Sequence, residues 1–293
     1  MDNAFAAADR FLLKEARLLE RRLFATRFLG QPSGAVVDAL RGYQNEDGGF
    51  GHGLEPDKRC PASLPIDVEV AFQTMAAAGA ADADMVGRSC DFLGRVAATA
   101  EADGAVPLAF PVIESFPRAV HWSDWTYRPG LNPTAGLAGL LHQLGVDHPW
   151  LAEATAYCWQ QLESGARVQD AHELSEVLVF LEHVPDRERA DKHRAALADT
   201  LADVEMFHLD PAAEGYGLTP LHLAPTPGSR SHALVDDAMI EAHLDNLAGS
   251  QQPDGGWPIS WEPPSEASLL EWRGIVTVQA LRTLAAYDWL AAT

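Results

Sequence analysis

The chain has 293 residues, 47% of them hydrophobic, which is enough for one large domain with a buried core or for two small domains. Its formal net charge of −21 argues against nucleic acids and anionic lipids as partners, because an acidic surface repels phosphate groups. The sequence contains neither an apolar run of about 18 residues for a membrane span nor the basic start of a signal peptide. Its three scattered cysteines are typical of reduced thiols, so we expect a cytoplasmic protein.

The N-terminal part of the chain alternates predicted helices with Gly- and Pro-containing breaks. Apolar residues close to helical spacing predict one long helix over 4–29, which the Gln-Pro-Ser-Gly segment at 31–34 ends. A long loop, 46–62, follows the next helix. The further helices of this part are predicted at 34–45, 63–79 and 82–100, the last with Asp82 as its cap.

The remainder of the chain contains two irregular stretches between helices. Residues 105–131 have no helical period and are dense in aromatic side chains, and 208–233 replaces one expected helix. A loop at 253–267 precedes the last helix. The helices are predicted at 133–145, 149–163, 169–183, 186–206, 234–250 and 268–290. Paired helices with few strands predict an all-α fold.

One eight-residue phrase occurs near both ends of the chain. Gln-Asn-Glu-Asp-Gly-Gly-Phe-Gly at 44–51 recurs as Gln-Gln-Pro-Asp-Gly-Gly-Trp-Pro at 251–258, and Asp103-Gly104 looks like a worn third copy. The phrase combines a helix end, a tight Asp-Gly-Gly turn and an aromatic anchor. Repeated units of this kind encode the stacking of neighbouring helices, so we expect the phrase itself to be structural.

Two pairs of side chains in the repeat have predicted structural roles. Gln44 and Gln251 can bind backbone groups freed at a helix end, and Phe50 and Trp257 can fold back as buried plugs. The phrase resembles the Gln-Trp repeat of terpene cyclases and of protein prenyltransferase β-subunits. That resemblance implies a toroid of paired inner and outer helices. We therefore expect residues 1–293 to form a single, slightly incomplete α/α toroid, in the manner of an (α/α)6 barrel.

The catalytic motifs of the resembled family are absent from the chain. There is no Asp-x-Asp-Asp for alkene protonation, and Asp236-Asp237 lacks the Asp-Asp-x-x-Asp pattern that binds magnesium. The segment 57–60 lacks the Asp-x-Cys spacing of the prenyltransferase zinc site. The fold therefore carries over from the resemblance while the activity does not, and we expect no metal and no cofactor.

Three long loops, 46–62, 110–131 and 257–272, are expected to converge on one pocket, because a toroid returns such loops to the same rim. The first loop offers His52, Glu55 and Asp57, in which two carboxylates and an imidazole can form a coupled acid/base group. The alternative is a loop fixed by turn and capping hydrogen bonds.

Further candidate acids lie at the start of a predicted inner helix and in the second loop. Asp67 is either a helix cap or an acid, and a buried Glu69 with a raised pKa is a candidate general acid, although a structural ion pair is the alternative. Asp124 is the candidate of the second loop. The aromatic side chains beside it either bind substrate or pack over the core, and they are Trp122, Trp125 and Tyr127.

The third loop and one helix start complete the candidate set. Trp261 and Trp272 can line the cavity, and Glu271 is a candidate substrate contact that could instead pair with Arg273. His172 begins a helix and is a weaker candidate for the cavity.

Aromatic faces attract positive charge and carboxyl groups transfer protons. The sequence therefore favours an enzyme that cyclises or isomerises a small, largely apolar substrate. The alternatives are a toroid that binds a small molecule or peptide without catalysis, and a carbohydrate-active α/α barrel with two carboxylates.

Overall fold

The computed structural model describes residues 3–123, 126–165 and 167–291. Within those ranges the regular structure is helical, and extended pairing is confined to isolated bridges such as that between Lys58 and Arg118. The α-helices are α1 (Asn3–Glu15), α2 (Leu18–Phe28), α3 (Gly34–Leu40), α4 (Pro65–Ala78), α5 (Ala83–Ala100), α6 (Leu131–Gln143), α7 (Pro149–Glu163), α8 (Ala171–His183), α9 (Arg187–Ala198), α10 (Pro220–Leu223), α11 (Asp237–Gly249) and α12 (Glu266–Ala286). The prediction of an all-α fold is confirmed. No helix of the described part of the chain has the length and apolar character that crossing a membrane requires.

The 3-10 helices lie mainly in the connections. They span Arg41–Tyr43, Pro111–Ser115, Val120–Trp122, Leu201–Asp203, Arg230–Leu234 and Trp289–Ala291.

Both copies of the repeated phrase fold in the same way. Gln44 Nε2 donates to the carbonyl oxygen of Gly48 at 3.0 Å and to a carbonyl in the first turn of α5 at 2.9 Å. Gln251 Nε2 donates to Gly255 O at 2.8 Å and to the carbonyl of Ala4 in α1 at 2.9 Å. Each glutamine therefore ties its own turn to the beginning of a neighbouring helix, and its acceptors are carbonyl groups of its own turn and of the first turn of that helix rather than groups freed at a helix end.

The glycines of these turns permit a close approach of backbone to backbone. Gly48 has a φ of +89°, and a Cβ there would lie 2.3 Å from the carbonyl oxygen of Arg88 in α5. Gly255 has a φ of +97°, and its Cβ would lie 2.2 Å from the carbonyl oxygen of Ala7 in α1. In the worn copy, Gly104 has a φ of +91° and is packed against α7 in the same way. Only glycine satisfies both conditions at these positions.

Alternate helices are in sequence-ordered contact. Helix α2 contacts α4, α4 contacts α6, α6 packs closely on α8, α8 contacts α10, and α12 returns to contact both α1 and α2. This is the order of contacts that a ring of inner helices requires. The closed toroid and the single-domain boundary stay predictions.

The predicted helix over 4–29 is two helices. Arg17 leaves the helical region with φ −60° and ψ 161°, and α2 begins directly after it. The Arg17 guanidinium donates to the carbonyl of Leu54 at 2.9 Å and forms a two-bond ion pair with the buried Glu20 at 2.6 and 2.9 Å. These tertiary contacts favour the break over continued helix, which the periodicity of the sequence does not reveal.

The second irregular stretch and the helix before it also differ from prediction. The segment 208–233 contains the short helix α10, which Thr219 and His222 cap reciprocally. Helix α9 ends at Ala198 rather than continuing to 206. The predicted cap of α5 is confirmed, because the Asp82 carboxylate accepts from the amide of Met85 at 2.9 Å.

Candidate functional site

Asp57 lies at the centre of a cluster drawn from three distant segments. Its side chain is buried, and Oδ1 accepts the indole N–H of Trp272 at 2.8 Å and that of Trp261 at 3.4 Å. Its other oxygen lies 3.4 Å from Nε2 of His121. A buried carboxylate needs such partners, because burial without them would favour the neutral form.

Backbone hydrogen bonds join the segment that contains Asp57 to the segment that contains His121. The amide of Arg59 donates to the carbonyl of Pro117 at 2.9 Å, and the amide of Ala119 donates to the carbonyl of Asp57 at 2.9 Å. The short 3-10 helix that follows then carries His121 to the carboxylate. The second segment is thereby held against the first without a regular sheet.

A buried lysine contacts both a carboxyl group and an aromatic ring of the cluster. Lys58 is 1% exposed, forms an ion pair with Glu55, and places Nζ 4.4 Å from the centroid of the Trp122 ring. The amide of Glu55 donates to Asp67 Oδ1 at 2.7 Å, and the amide of Asp57 donates to Glu55 Oε2 at 3.1 Å. The Glu-Pro-Asp-Lys turn is thus linked through Asp67 to the first turn of α4.

Aromatic side chains extend the cluster away from Asp57. The Trp261 ring is perpendicular to that of Trp272, with centroids 5.0 Å apart, and perpendicular to that of Tyr216, with centroids 5.3 Å apart. His172 stacks on Tyr216, and the Tyr216 hydroxyl lies 2.9 Å from its Nε2. Edge-to-face pairs of this kind fix the ring planes.

Burial dominates the electrostatics of these groups. It raises the pKa of Asp57 to about 6, with a further contribution from the negative charge of Glu55, against which the two indole donors act. It raises the pKa of Asp67 to about 7 and lowers the pKa of the His121 imidazole. The pKa of Tyr216 rises to about 12, first through burial and then through Asp57. At neutral pH the imidazole is neutral and Asp57 is close to its own titration.

A second carboxyl pair lies between helices α4 and α8. Gln73 Nε2 donates to Glu69 Oε1 at 2.8 Å, and Glu69 is hydrogen-bonded to Glu176. Burial raises the pKa of Glu69 to about 7 and also raises that of Glu176, which the charge of Glu69 raises further. A Cβ at Gly136 of α6 would lie 1.5 Å from Glu176 Oε2, so a side chain there would collide with the carboxyl group. Two such carboxyl groups in contact oppose each other's ionisation.

The residues predicted from the sequence are distributed over several places. Glu55, Asp57, Trp122, Trp261 and Trp272 meet in the cluster around Asp57. Glu271 forms an ion pair with Arg59 at 2.5 Å, whereas the alternative partner, Arg273, binds Asp254 with two bonds at 2.7 and 2.8 Å. The pairing of Glu271 with Arg273 is therefore wrong, because the turn of the second repeat takes the guanidinium.

Three other predicted residues have separate partners. His52 is exposed and lies 2.9 Å from the side-chain oxygen of Asn45 in the first repeat turn. The Tyr127 hydroxyl donates to Glu114 at 2.9 Å. Glu69 belongs to the carboxyl pair with Glu176. Two predicted residues, Asp124 and Trp125, lie outside the described residues.

Several residues of the cluster around Asp57 were not among the main candidates from the sequence. Lys58 ends the Glu-Pro-Asp-Lys turn, and a lysine directly after two acids, in a chain with three lysines, is a usable signal. Tyr216 and His172 come from segments 44 residues apart, and no local pattern joins them. Among the described residues, no group of three or more His, Cys, Asp or Glu side chains is arranged to hold a metal ion.

Comparison with known proteins gives a structural match. No family model matches the chain, and no curated protein matches it. A solved structure described as the crystal structure of a protein from Actinoplanes has a TM-score of 0.59 and 19% sequence identity, and the match covers 97% of this chain and 100% of that chain. At this identity the likeness shows a shared fold alone.

Proposed function

We propose that the protein is an enzyme that isomerises or cyclises a small, largely apolar substrate by proton transfer at Asp57. The observation that carries the proposal is a buried carboxyl group with a pKa of about 6 that lies 3.4 Å from a half-exposed imidazole. A general acid or base is most effective when its pKa lies near the working pH.

The two side chains have different roles in the proposal. The Asp57 carboxylate removes a proton from one carbon of the substrate, the double bond shifts, and the protonated carboxyl group returns a proton to another carbon. The His121 side chain is 51% exposed while that of Asp57 is 4% exposed, so the imidazole connects the buried carboxyl group to solvent. The rings of Trp261 and Trp272, which lie beside the carboxyl group, contact the apolar part of the substrate.

The pKa of Asp57 favours isomerisation over the protonation of an isolated alkene. A carboxyl group that is half dissociated near pH 6 is a weak donor to a carbon–carbon double bond, but it exchanges protons readily in both directions. The proposed chemistry therefore differs from that of the terpene cyclases that the repeat resembles. The hydrogen-bonded pair of Glu69 and Glu176 does not favour the carbohydrate-active alternative, because glycosidase carboxyl groups are about 5 Å or more apart.

Deuterium incorporation tests the proposal. The protein is incubated in D2O with a panel of small unsaturated hydrocarbons, ketones and methylated amines, and mass spectrometry follows isotope uptake at carbon. We expect uptake into at least one compound, and a loss of at least 100-fold in Asp57→Asn, since a general acid/base contributes about 10²–10⁴-fold.

Glu163→Gln is the matched control, because it changes a carboxyl group to an amide in a surface ion pair with Arg189. Its rate should equal that of the wild type. An absence of uptake across the panel, or an unchanged rate in Asp57→Asn, refutes the proposed function.

A further inference from the structure

Three ring planes form two right angles beside Asp57. The Trp261 plane makes an angle of 82° with that of Trp272 and of 81° with that of Tyr216. All three side chains are partly exposed, whereas Trp122, on the far side of Lys58, is buried. We call Tyr216, Trp261 and Trp272 the aromatic corner.

The hydrogen bonds of the two indoles determine which part of each ring is available. Both N–H groups point at Asp57 Oδ1, at 2.8 Å from Trp272 and 3.4 Å from Trp261. The N–H edges of both rings are therefore directed at the carboxylate, and the exposed part of each side chain is available to a guest. A guest that complements electron-rich faces carries positive charge.

Negative side chains outnumber positive ones around the aromatic corner, which also favours a cationic guest. Glu55, Asp57 and Asp67 are buried together, and Lys58 is the lysine that faces them. The nearby Arg17 is committed to its two-bond ion pair with Glu20.

Arg59 is committed in turn to Glu271, at 2.5 Å. The site is thus short of positive charge unless a carboxyl group is protonated or a cation enters. The net charge of −21 for the whole chain adds a field that attracts cations.

From this geometry we propose that the aromatic corner binds the quaternary or tertiary ammonium group of a small organic cation, with Asp57 as its counter-ion. The inference rests on the same site as the proposed function and names its substrate class, a largely apolar molecule with an ammonium group. Binding of this kind does not require turnover. A methylated ammonium suits the corner better than a primary amine, since ring faces accept no strong hydrogen bond.

Binding should depend on pH through the groups that face Asp57, which are Glu55, Lys58, His121 and Tyr216. Protonation of Asp57 removes the counter-ion. We therefore expect affinity to fall as the pH is lowered through about 6, where Asp57 titrates.

Choline and 3,3-dimethylbutan-1-ol are the test probes, because the alcohol has the same shape with carbon in place of nitrogen. Isothermal titration at pH 7.5 should give at least tenfold tighter binding of choline. Tyr216→Leu removes one ring face and should weaken choline binding at least fivefold, whereas Tyr216→Phe keeps the face and should retain the affinity. Asp57→Asn should weaken choline binding at least tenfold, and Glu163→Gln should not change it.

Equal affinities for choline and its neutral analogue overturn the inference, as does unchanged choline binding in both Tyr216→Leu and Asp57→Asn. If Tyr216→Leu does not fold, the comparison of choline with the alcohol on the wild type and on Asp57→Asn decides the question alone. Choline binding without isotope uptake in D2O leaves the inference in place and refutes the proposed function. Isotope uptake that requires Asp57, without preference for choline, does the opposite.

Discussion

The clearest physical consequence of the site concerns the replacement of Asp57 by asparagine. A pKa raised from 3.8 to about 6 means that the folded chain holds this proton more tightly than the unfolded chain does. The contribution of Asp57 to the wild-type free energy of unfolding therefore decreases as the pH rises from about 4 to about 6, and it is constant above that window. At about 1.36 kcal/mol per pH unit, the cost of ionised Asp57 at pH 7 is about 3 kcal/mol.

Asparagine keeps the oxygen that accepts both indole N–H groups and cannot ionise. The free energy of unfolding of Asp57→Asn, relative to the wild type, should thus increase by up to about 3 kcal/mol between pH 4 and pH 7. Urea titrations across this range measure the difference directly.

Asp254→Asn is a control of opposite sign, because hydrogen bonds from Arg273 hold the pKa of that carboxyl group low. That variant should lose stability relative to the wild type as the pH rises. Parallel pH curves for the wild type and Asp57→Asn would refute the reasoning.

Further predictions concern the repeats and the helix packing. Phe50→Ala and Trp257→Ala should each lower the free energy of unfolding by about 3–5 kcal/mol and leave ligand binding per folded molecule intact, as thermal melting and titration will measure. Gly139→Ala should destabilise by about 1–3 kcal/mol, because its Cβ would lie 2.5 Å from a backbone oxygen of α8, whereas Gly87→Ala, with open space in α5, should be neutral or stabilising in the same melts. Glu176→Gln should reduce the loss of stability that urea titrations measure as the pH rises above about 4.5, because it removes one of two carboxyl groups whose pKa values are raised. Elemental analysis of protein purified without chelator should find no stoichiometric transition metal.

The sequence was most informative where a local pattern determines a local structure. The cap at Asp82, the left-handed glycine that ends α4, and the twofold use of the Asp-Gly-Gly turn each depend on residues a few positions apart. The break at Arg17 was not predictable in this way, because it depends on a carbonyl group 37 residues away. Periodicity reports which side of a helix is apolar and does not report where a distant segment stops it.

The same distinction between local pattern and distant packing applies to the residues of the candidate site. Glu55 and Asp57 were identifiable as candidates because they lie in a long loop after a helix end, and long loops in compact domains are often functional. The role of Tyr216 depends on its contact with a ring from the last loop, and the partner of Glu69 lies on a different helix. Side chains that meet only through the packing of distant helices leave no mark in a single sequence.

The two copies of the repeat have a consequence that neither copy has alone. Each turn fixes a helix end through its glutamine and glycine. The residues that follow the turn differ between the two copies. The loop after the first copy brings the Asp57 carboxylate, and the segments after the second copy bring the two indoles that bind it, Trp261 and Trp272. The structural elements are therefore duplicated while the chemical groups are complementary. The two turns therefore position loops from opposite ends of the chain against each other, and the side chains that meet there, one carboxylate and two indoles, come from different places relative to each turn.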